Sequence, residues 1–304
     1  MENMSKPRIF KNLQTNEDFY KLGYVSFPLF DARTVAELKA FYKENIENNQ
    51  KGQSKDLFHT TSNTNDRDLI KKVSGFIKPY FEKALEPHLH ECNLTISNYL
   101  VKESSPKSAV SPHMDWSFVD EDKFTSFNVW VCLDDADYKT GNLQFIPGSH
   151  TFARSLRVSP GQPRYFDQIQ NDIVPYLVDL PTKAGDCAIF HHSLIHASRR
   201  NTSGSPRISC VIAGYPKQAE LYHFFWPPGT ENNQIEKYKV CNQTYLDLIN
   251  GERPPHSEFM GHIQFDFSYM PLDEFVAKTK PYLSSWQVLK NRLTNLFIGG
   301  SFKN

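Results

Sequence analysis

Leu94-Thr-Ile-Ser-Asn-Tyr-Leu-Val101 is a short run in which apolar and polar side chains alternate, and the pattern decides the fold. Successive side chains on a strand point to opposite faces, so such a run suits a half-buried strand and not a helix. The same texture returns at Thr125 to Leu133, Leu143 to Ile146, Asp186 to Phe190 and Ile208 to Ala213, with Gly, Pro and Asp turns between. Five or more short strands at this spacing predict a closed or double-layered architecture, mainly β with flanking helices around a barrel-like core.

Outward from that centre the pattern changes. Asn16-Glu-Asp begins a plausible capped helix, and Asp31 opens a segment with Val35, Leu38, Phe41 and Tyr42 at helical spacing. Gly23 to Pro28 reads as a short strand between them. Gly52 to Asp68 is rich in Ser, Thr and Asn and reads as a loop, open to a lid or an inert connection; Leu69 to Leu85 is again helical. Beyond Tyr215, Leu221-Tyr-His-Phe-Phe-Trp226 reads as an irregular aromatic stretch, structural or part of a lid, followed by helical fragments. The last of these places Trp286, Leu289, Leu293 and Leu296 on one face, which is expected to dock on the body. The organisation expected is one domain over 1–304, with a helical flank at 1–90, a core at 94–215 and a C-terminal extension at 216–304.

Composition limits the function classes. At 304 residues, 39% hydrophobic and 13% aromatic, the chain can bury a full core. Lys plus Arg balance Asp plus Glu at 34 each, so no global field recruits nucleic acid or an anionic membrane. Five scattered cysteines without a CxxC pair indicate neither a disulfide framework nor a zinc site. With no apolar leader or spanning run, a cytoplasmic monomer or homodimer acting on a small molecule is expected.

The chemistry concentrates at His113-Met-Asp115. Alternation puts residues two apart on the same side, so His113 and Asp115 would point inward with Met114 turned away. A third ligand has three candidates, His191, His192 and His196. His196 is favoured because Ser198 and Arg207 follow it as a hydroxyl and a guanidinium suited to a carboxylate. Two imidazoles and one carboxylate on one face of Fe(II) leave its other positions open, the ligand set of non-heme iron oxygenases. Trp116 and Trp130 could pack beside the metal. Lys102 and Lys107 could attract an anion at the cavity mouth, while His150 and His192 read as hydrogen-bonded structural side chains.

The chain resembles the phytanoyl-CoA dioxygenase family of Fe(II)- and 2-oxoglutarate-dependent oxygenases from about Phe19 to Tyr215. The matching pieces are Phe19-Tyr-Lys-Leu-Gly-Tyr-Val25, His113-Met-Asp-Trp116, Asn128-Val-Trp-Val-Cys-Leu-Asp-Asp-Ala-Asp137, Gly141-Asn-Leu-Gln-Phe-Ile-Pro-Gly-Ser-His150, and His196-Ala-Ser198 with Arg207. The Gly141 to His150 block is the most specific. This resemblance implies a double-stranded β-helix (jelly-roll, cupin-like) core, with His113, Asp115 and His196 as iron ligands. It further implies Arg207 and Ser198 as partners of the distal carboxylate of 2-oxoglutarate, with Asn98 as a further cosubstrate candidate.

The implied reaction consumes 2-oxoglutarate and dioxygen, releases succinate and carbon dioxide, and hydroxylates an aliphatic carbon of a small metabolite, amino acid or acyl substrate. Desaturation, cyclisation or non-catalytic ligand binding by the same core are the alternatives. Retention of the carboxylate at Asp115 argues against halogenation, for which relatives place a small residue there.

Overall fold

The computed structural model describes residues 6–47, 57–152, 155–161, 164–228, 234–249, 251–265 and 267–298, the side chains of 294–298 excepted. Three helices form first along the chain, each started by a polar cap: α1 (Leu13–Leu22) by Asn12, α2 (Ala32–Asn45) by Asp31, and α3 (Arg67–Leu85) by Asp66. In each, the cap side chain accepts a backbone N–H that the first turn leaves unpaired. The expected helix start at Asn16 is therefore corrected. Asn16 lies inside α1, and its Oδ1 instead accepts from the N–H groups of Ile9 and Phe10.

The principal sheet has six antiparallel strands in the order β1 (Tyr24–Pro28), β8 (Asp186–His191), β5 (Phe127–Cys132), β10 (Arg207–Pro216), β3 (Cys92–Lys102) and β2 (Phe58–Thr60). Two of these come from the N-terminal flank, so the core is not confined to 94–215. Alternation along β5 sets the two faces. Val129 and Val131 pack against Phe19 of α1, Leu38 of α2 and Val73, Ile77 and Phe81 of α3. Trp130 and Cys132 point the other way. Full burial of a side chain such as Phe81 stabilises the fold by about 1.5–3 kcal/mol.

The inner face looks onto a second sheet of four antiparallel strands, β4 (Val110–His113), β9 (His196–Ser198), β6 (Leu143–Phe145) and β7 (Val178–Leu180). Leu143 and Phe145 meet Trp130 and Phe190 between the layers, giving the jelly-roll its interior. The turn into β6 requires glycine at 141: its φ is 85°, and a Cβ there would come within 2.6 Å of the Arg199 carbonyl oxygen.

The C-terminal third differs from the sequence reading. Leu221 to Phe225 is a regular strand, β11, and joins β12 (Gln234–Val240) and β13 (Glu258–Gln264) in a separate antiparallel sheet, with α4 (Asn242–Asp247) between the last two. Helices α5 (Leu272–Thr279) and α6 (Ser285–Ile298) follow. Helix α6 docks through Val288 and through Asn291, which donates to the carbonyls of Pro175 and Leu177. The expected docking stripe faces outward instead: Trp286, Leu289 and Leu293 are 67%, 53% and 49% exposed, and Leu296 lies outside the described side chains. No helix among the described residues is long and apolar enough to cross a membrane.

Candidate metal centre

The minor sheet brings the two histidines together. His113 ends β4 and pairs in register with His196, which opens β9, so their rings lie 4.1 Å apart. Asp115 stands just past the strand, not on it as alternation implied. Its place is set by backbone contacts: its N–H donates to the His192 carbonyl at 2.9 Å, and its own carbonyl accepts from Arg157 Nε at 2.8 Å. Met114 packs into the apolar cluster with Ile146, Ile195 and Ala197 and is also part of the cavity lining, so it is not wholly turned away. One potential ligand atom from each of His113, Asp115 and His196 lies within 4.8 Å of the others, and Asp115 Oδ2 is 3.7 Å from His196 Nε2.

Both rings are oriented for a metal. His113 Nδ1 donates to the Ser111 carbonyl at 2.9 Å and His196 Nδ1 to the Leu194 carbonyl at 3.0 Å, which leaves each Nε2 with a lone pair. Asn128, on the inward face of β5, donates to Asp115 Oδ2 at 2.8 Å. Burial, reinforced by the neighbouring His196 ring, pushes the His113 imidazole down to about 4. Burial alone would raise the Asp115 carboxyl; the surrounding imidazoles and the Asn128 amide outweigh it and hold the group below its ordinary range. Two imidazoles that turn Nε2 towards a carboxylate are a donor set that fits Fe(II).

The other two candidate histidines are not in this cluster. His191 Nδ1 accepts from the Ser193 N–H at 3.1 Å, and its ring stacks on Phe19. His192 Nδ1 meets Ser126 Oγ at 2.8 Å, and His150 Nε2 meets the Tyr20 carbonyl at 2.9 Å, the structural roles expected of both.

A cavity of about 520 Å³ opens from the cluster between the sheets, and Asn98, Trp116, Trp130, Ser198 and Arg207 all line it. Arg207 is 2% exposed; it donates from Nη1 to the Gly141 carbonyl, lies over the Trp130 ring at 5.2 Å, and keeps a buried Nε with no hydrogen-bond partner. The specific Gly141 block thus supports the arginine directly. Asn98 Oδ1 accepts from Thr60 Oγ1 at 2.6 Å.

Lys102 is not at a mouth. It pairs in register with Arg207 and is fully buried, with Nζ donating to the Ser108 carbonyl, and burial followed by the Arg207 charge pushes it down to about 6. Tyr222 to Trp226 contribute nothing to the cavity lining, which instead takes Phe118, Tyr245 and Leu248 from other segments.

Sequence reasoning missed the clamp behind Asp115. Arg157 makes a bidentate, largely buried ion pair with Glu121 at 2.6 and 2.5 Å while holding the Asp115 carbonyl, and Arg164 Nη1 donates to the Pro112 carbonyl at 2.7 Å. Both arginines sit in an irregular segment with no local pattern. Asn128 could have been found from its inward phase with Trp130.

A jelly-roll carrying two histidines and one carboxylate in the lining of an internal cavity defines the fold and site class of the non-heme iron oxygenases. The sequence profile of the Phytanoyl-CoA dioxygenase (PhyH) family matches residues 19–209, and the chain belongs to that family. It is 34% identical over 118 residues to phytanoyl-CoA dioxygenase domain-containing protein 1 of Danio rerio, covering 36% of this chain and 40% of that one. A match to phytanoyl-CoA dioxygenase 1 of Oryza sativa subsp. japonica is 32% identical over 109 residues, covering 35% and 39%. The matched stretch thus spans less than half of either relative. Among solved structures, the non-heme alpha ketoglutarate dependent carbocyclase SnoK from nogalamycin biosynthesis shares the fold, with a TM-score of 0.50 and 19% identity over 69% of this chain and 86% of that one.

Proposed function

We propose that this protein is an Fe(II)- and 2-oxoglutarate-dependent dioxygenase that hydroxylates an aliphatic carbon of a small metabolite, amino acid or acyl substrate. The observation that carries this reading is the convergence of the His113, Asp115 and His196 ligand atoms within 4.8 Å at a cavity that also holds buried Arg207. His113, Asp115 and His196 would hold the iron. Arg207, with the Ser198 hydroxyl also in the lining, would hold the distal carboxylate of 2-oxoglutarate, because a buried guanidinium with an unsatisfied N–H is stabilised by an anionic acceptor. Asn98 offers its amide to the same space.

Iron and the ketoacid together would supply oxygen activation, with succinate and carbon dioxide as coproducts. The chain's own part is orientation and exclusion of water. The backbone carbonyls of Ser111 and Leu194 fix the imidazole tautomers, Asn128 fixes the carboxylate rotamer, and the Trp116 and Trp130 rings limit solvent beside the reacting groups.

Succinate release from 2-oxoglutarate under air, with Fe(II), tests the reading. Release is expected from the wild type and a loss of at least about 100-fold from His113→Ala and Asp115→Ala. Undiminished release from both variants would remove the metal assignment. Product mass decides the outcome on substrate, since hydroxylation adds one oxygen while desaturation and cyclisation each remove two hydrogens.

A further inference from the structure

The lining of the cavity is divided by origin. One part, Arg207 with the metal cluster, comes from strands and the turn after β4. The outer part comes from elements around the roll: Phe58 and Ser62 from β2 and its following loop, Trp116 and Phe118 beyond the metal pair, and Tyr245 and Leu248 from α4 and the residue after it. Among the described residues that line the cavity, the only permanently charged side chains are Asp115 and Arg207. Both belong to the metal and cosubstrate positions.

Three basic side chains beside Leu248 and α4 are turned elsewhere, and Lys102 Nζ, 5.6 Å from the Phe58 ring centre, is held by the Ser108 carbonyl. Arg67 Nη1 donates to the Leu248 carbonyl at 2.6 Å, and Lys71 pairs with Asp247 at 3.0 Å, as does His256. None of the three lines the cavity. Phe118 and Tyr245 meet at 5.2 Å between ring centres, and Tyr245 is pinned by its hydroxyl donating to the Tyr222 carbonyl, so the aromatic wall is preformed. Neutral polar groups, Ser62, Asn63 and Thr95, punctuate it.

Resting on the oxygenase reading, we propose that the substrate enters as an uncharged, mainly apolar molecule packed against Trp116, Phe118 and Tyr245, and that ionised carboxylates and phosphates are discriminated against in this part of the cavity. An anion placed there would lose its hydration with no cation among the described lining residues of this part to meet it, whereas a ring or chain gains by covering the aromatic wall. With the five-carbon cosubstrate seated, about 520 Å³ leaves room for a small-molecule skeleton. A free amino acid and the nucleotide portion of a coenzyme A thioester both fall outside that description. The neutral polar groups on the wall suit a hydroxyl or carbonyl of the substrate.

The test uses matched probes, 2-naphthylmethanol against 2-naphthoate and decanol against decanoate and decanoyl-coenzyme A. Each is titrated anaerobically into Fe(II)- and 2-oxoglutarate-loaded protein and into metal-free protein, with binding followed by tryptophan fluorescence and calorimetry. The neutral member is expected to bind at least about tenfold more tightly in each pair. Leu248→Arg, at a half-buried position, and Ser62→Lys are expected to shift that preference towards the anion by about tenfold, with 2-oxoglutarate affinity unchanged. Equal or tighter binding of naphthoate, decanoate or the thioester by the wild type would overturn the proposal, as would no binding of either neutral probe. Failure of the oxygenase reading is seen separately, as absent 2-oxoglutarate binding, while the same titrations of metal-free Arg207→Leu protein still report the outer part without the guanidinium.

Discussion

Asn128 Nδ2 donates to Asp115 Oδ2 at 2.8 Å, and the same carboxylate oxygen stands 3.7 Å from His196 Nε2. The major sheet therefore reaches across the roll to aim a ligand that the minor sheet and its following turn supply. Outer partners of this kind tune metal affinity by orienting the ligand. Asn128→Leu is expected to weaken Fe(II) binding by about 10–100-fold, measured by competitive titration with a chelating dye. Unchanged affinity would show that the backbone alone positions Asp115.

The Arg157 and Glu121 pair is nearly dry, with side-chain exposures of 4% and 15%. Removing one partner of such a pair strands the other charge, at a cost of about 3–5 kcal/mol, whereas replacing both with apolar groups is far better tolerated. Urea unfolding of Arg157→Met, Glu121→Leu and the double variant checks this. Both single variants are expected to lose stability, with the double variant recovering much of it; simple additivity would contradict the clamp.

Lys102 gives the fold a pH dependence. Burial, and then the Arg207 charge, lower its folded pKa to about 6 from an ordinary 10.5. Between those values the unfolded chain binds this proton more readily than the fold does, so this group's penalty is full below pH 6 and is relieved as pH rises towards 10.5. Lys102→Met is expected to raise the melting temperature of ligand-free protein at pH 7 by a few degrees, about 2–4 °C for each 1 kcal/mol recovered, and to flatten its rise with pH. A lower melting temperature with an unaltered slope would contradict this.

Arg207→Leu separates cosubstrate binding from metal binding. Loss of the buried guanidinium is expected to weaken 2-oxoglutarate by at least about 30-fold while leaving Fe(II) affinity within a factor of about three. Calorimetric titration of each ligand distinguishes the two, and equal 2-oxoglutarate affinity would place the carboxylate elsewhere.

Much of this site was legible because its signals are periodic or local. The strands that make the inner walls alternate cleanly, and His113, His196 and Arg207 fall on or beside them. The third sheet was not legible, since β12 breaks its alternation between Ile235 and Tyr238, where Glu236 and Lys237 intervene at a shift of register, and β13 is separated from it by α4 and a polar connection, which hides the pairing. Docking of α6 was misread for a different reason: amphipathic spacing shows that a face is apolar, and only tertiary structure shows that Val288 and Asn291 make the contact while Trp286 faces out. Arg157 left no local trace, because its partners Glu121 and Asp115 are brought to it by the fold.

The most direct test of the centre is an anaerobic titration of 2-oxoglutarate into Fe(II)-loaded protein, followed by the visible metal-to-ligand charge-transfer band of the ketoacid chelate. The wild type is expected to develop the band to saturation at one equivalent, and His113→Ala and His196→Ala to develop none. Absence of the band in the wild type, or its full development in both variants, would contradict an iron and 2-oxoglutarate site built on His113, Asp115 and His196.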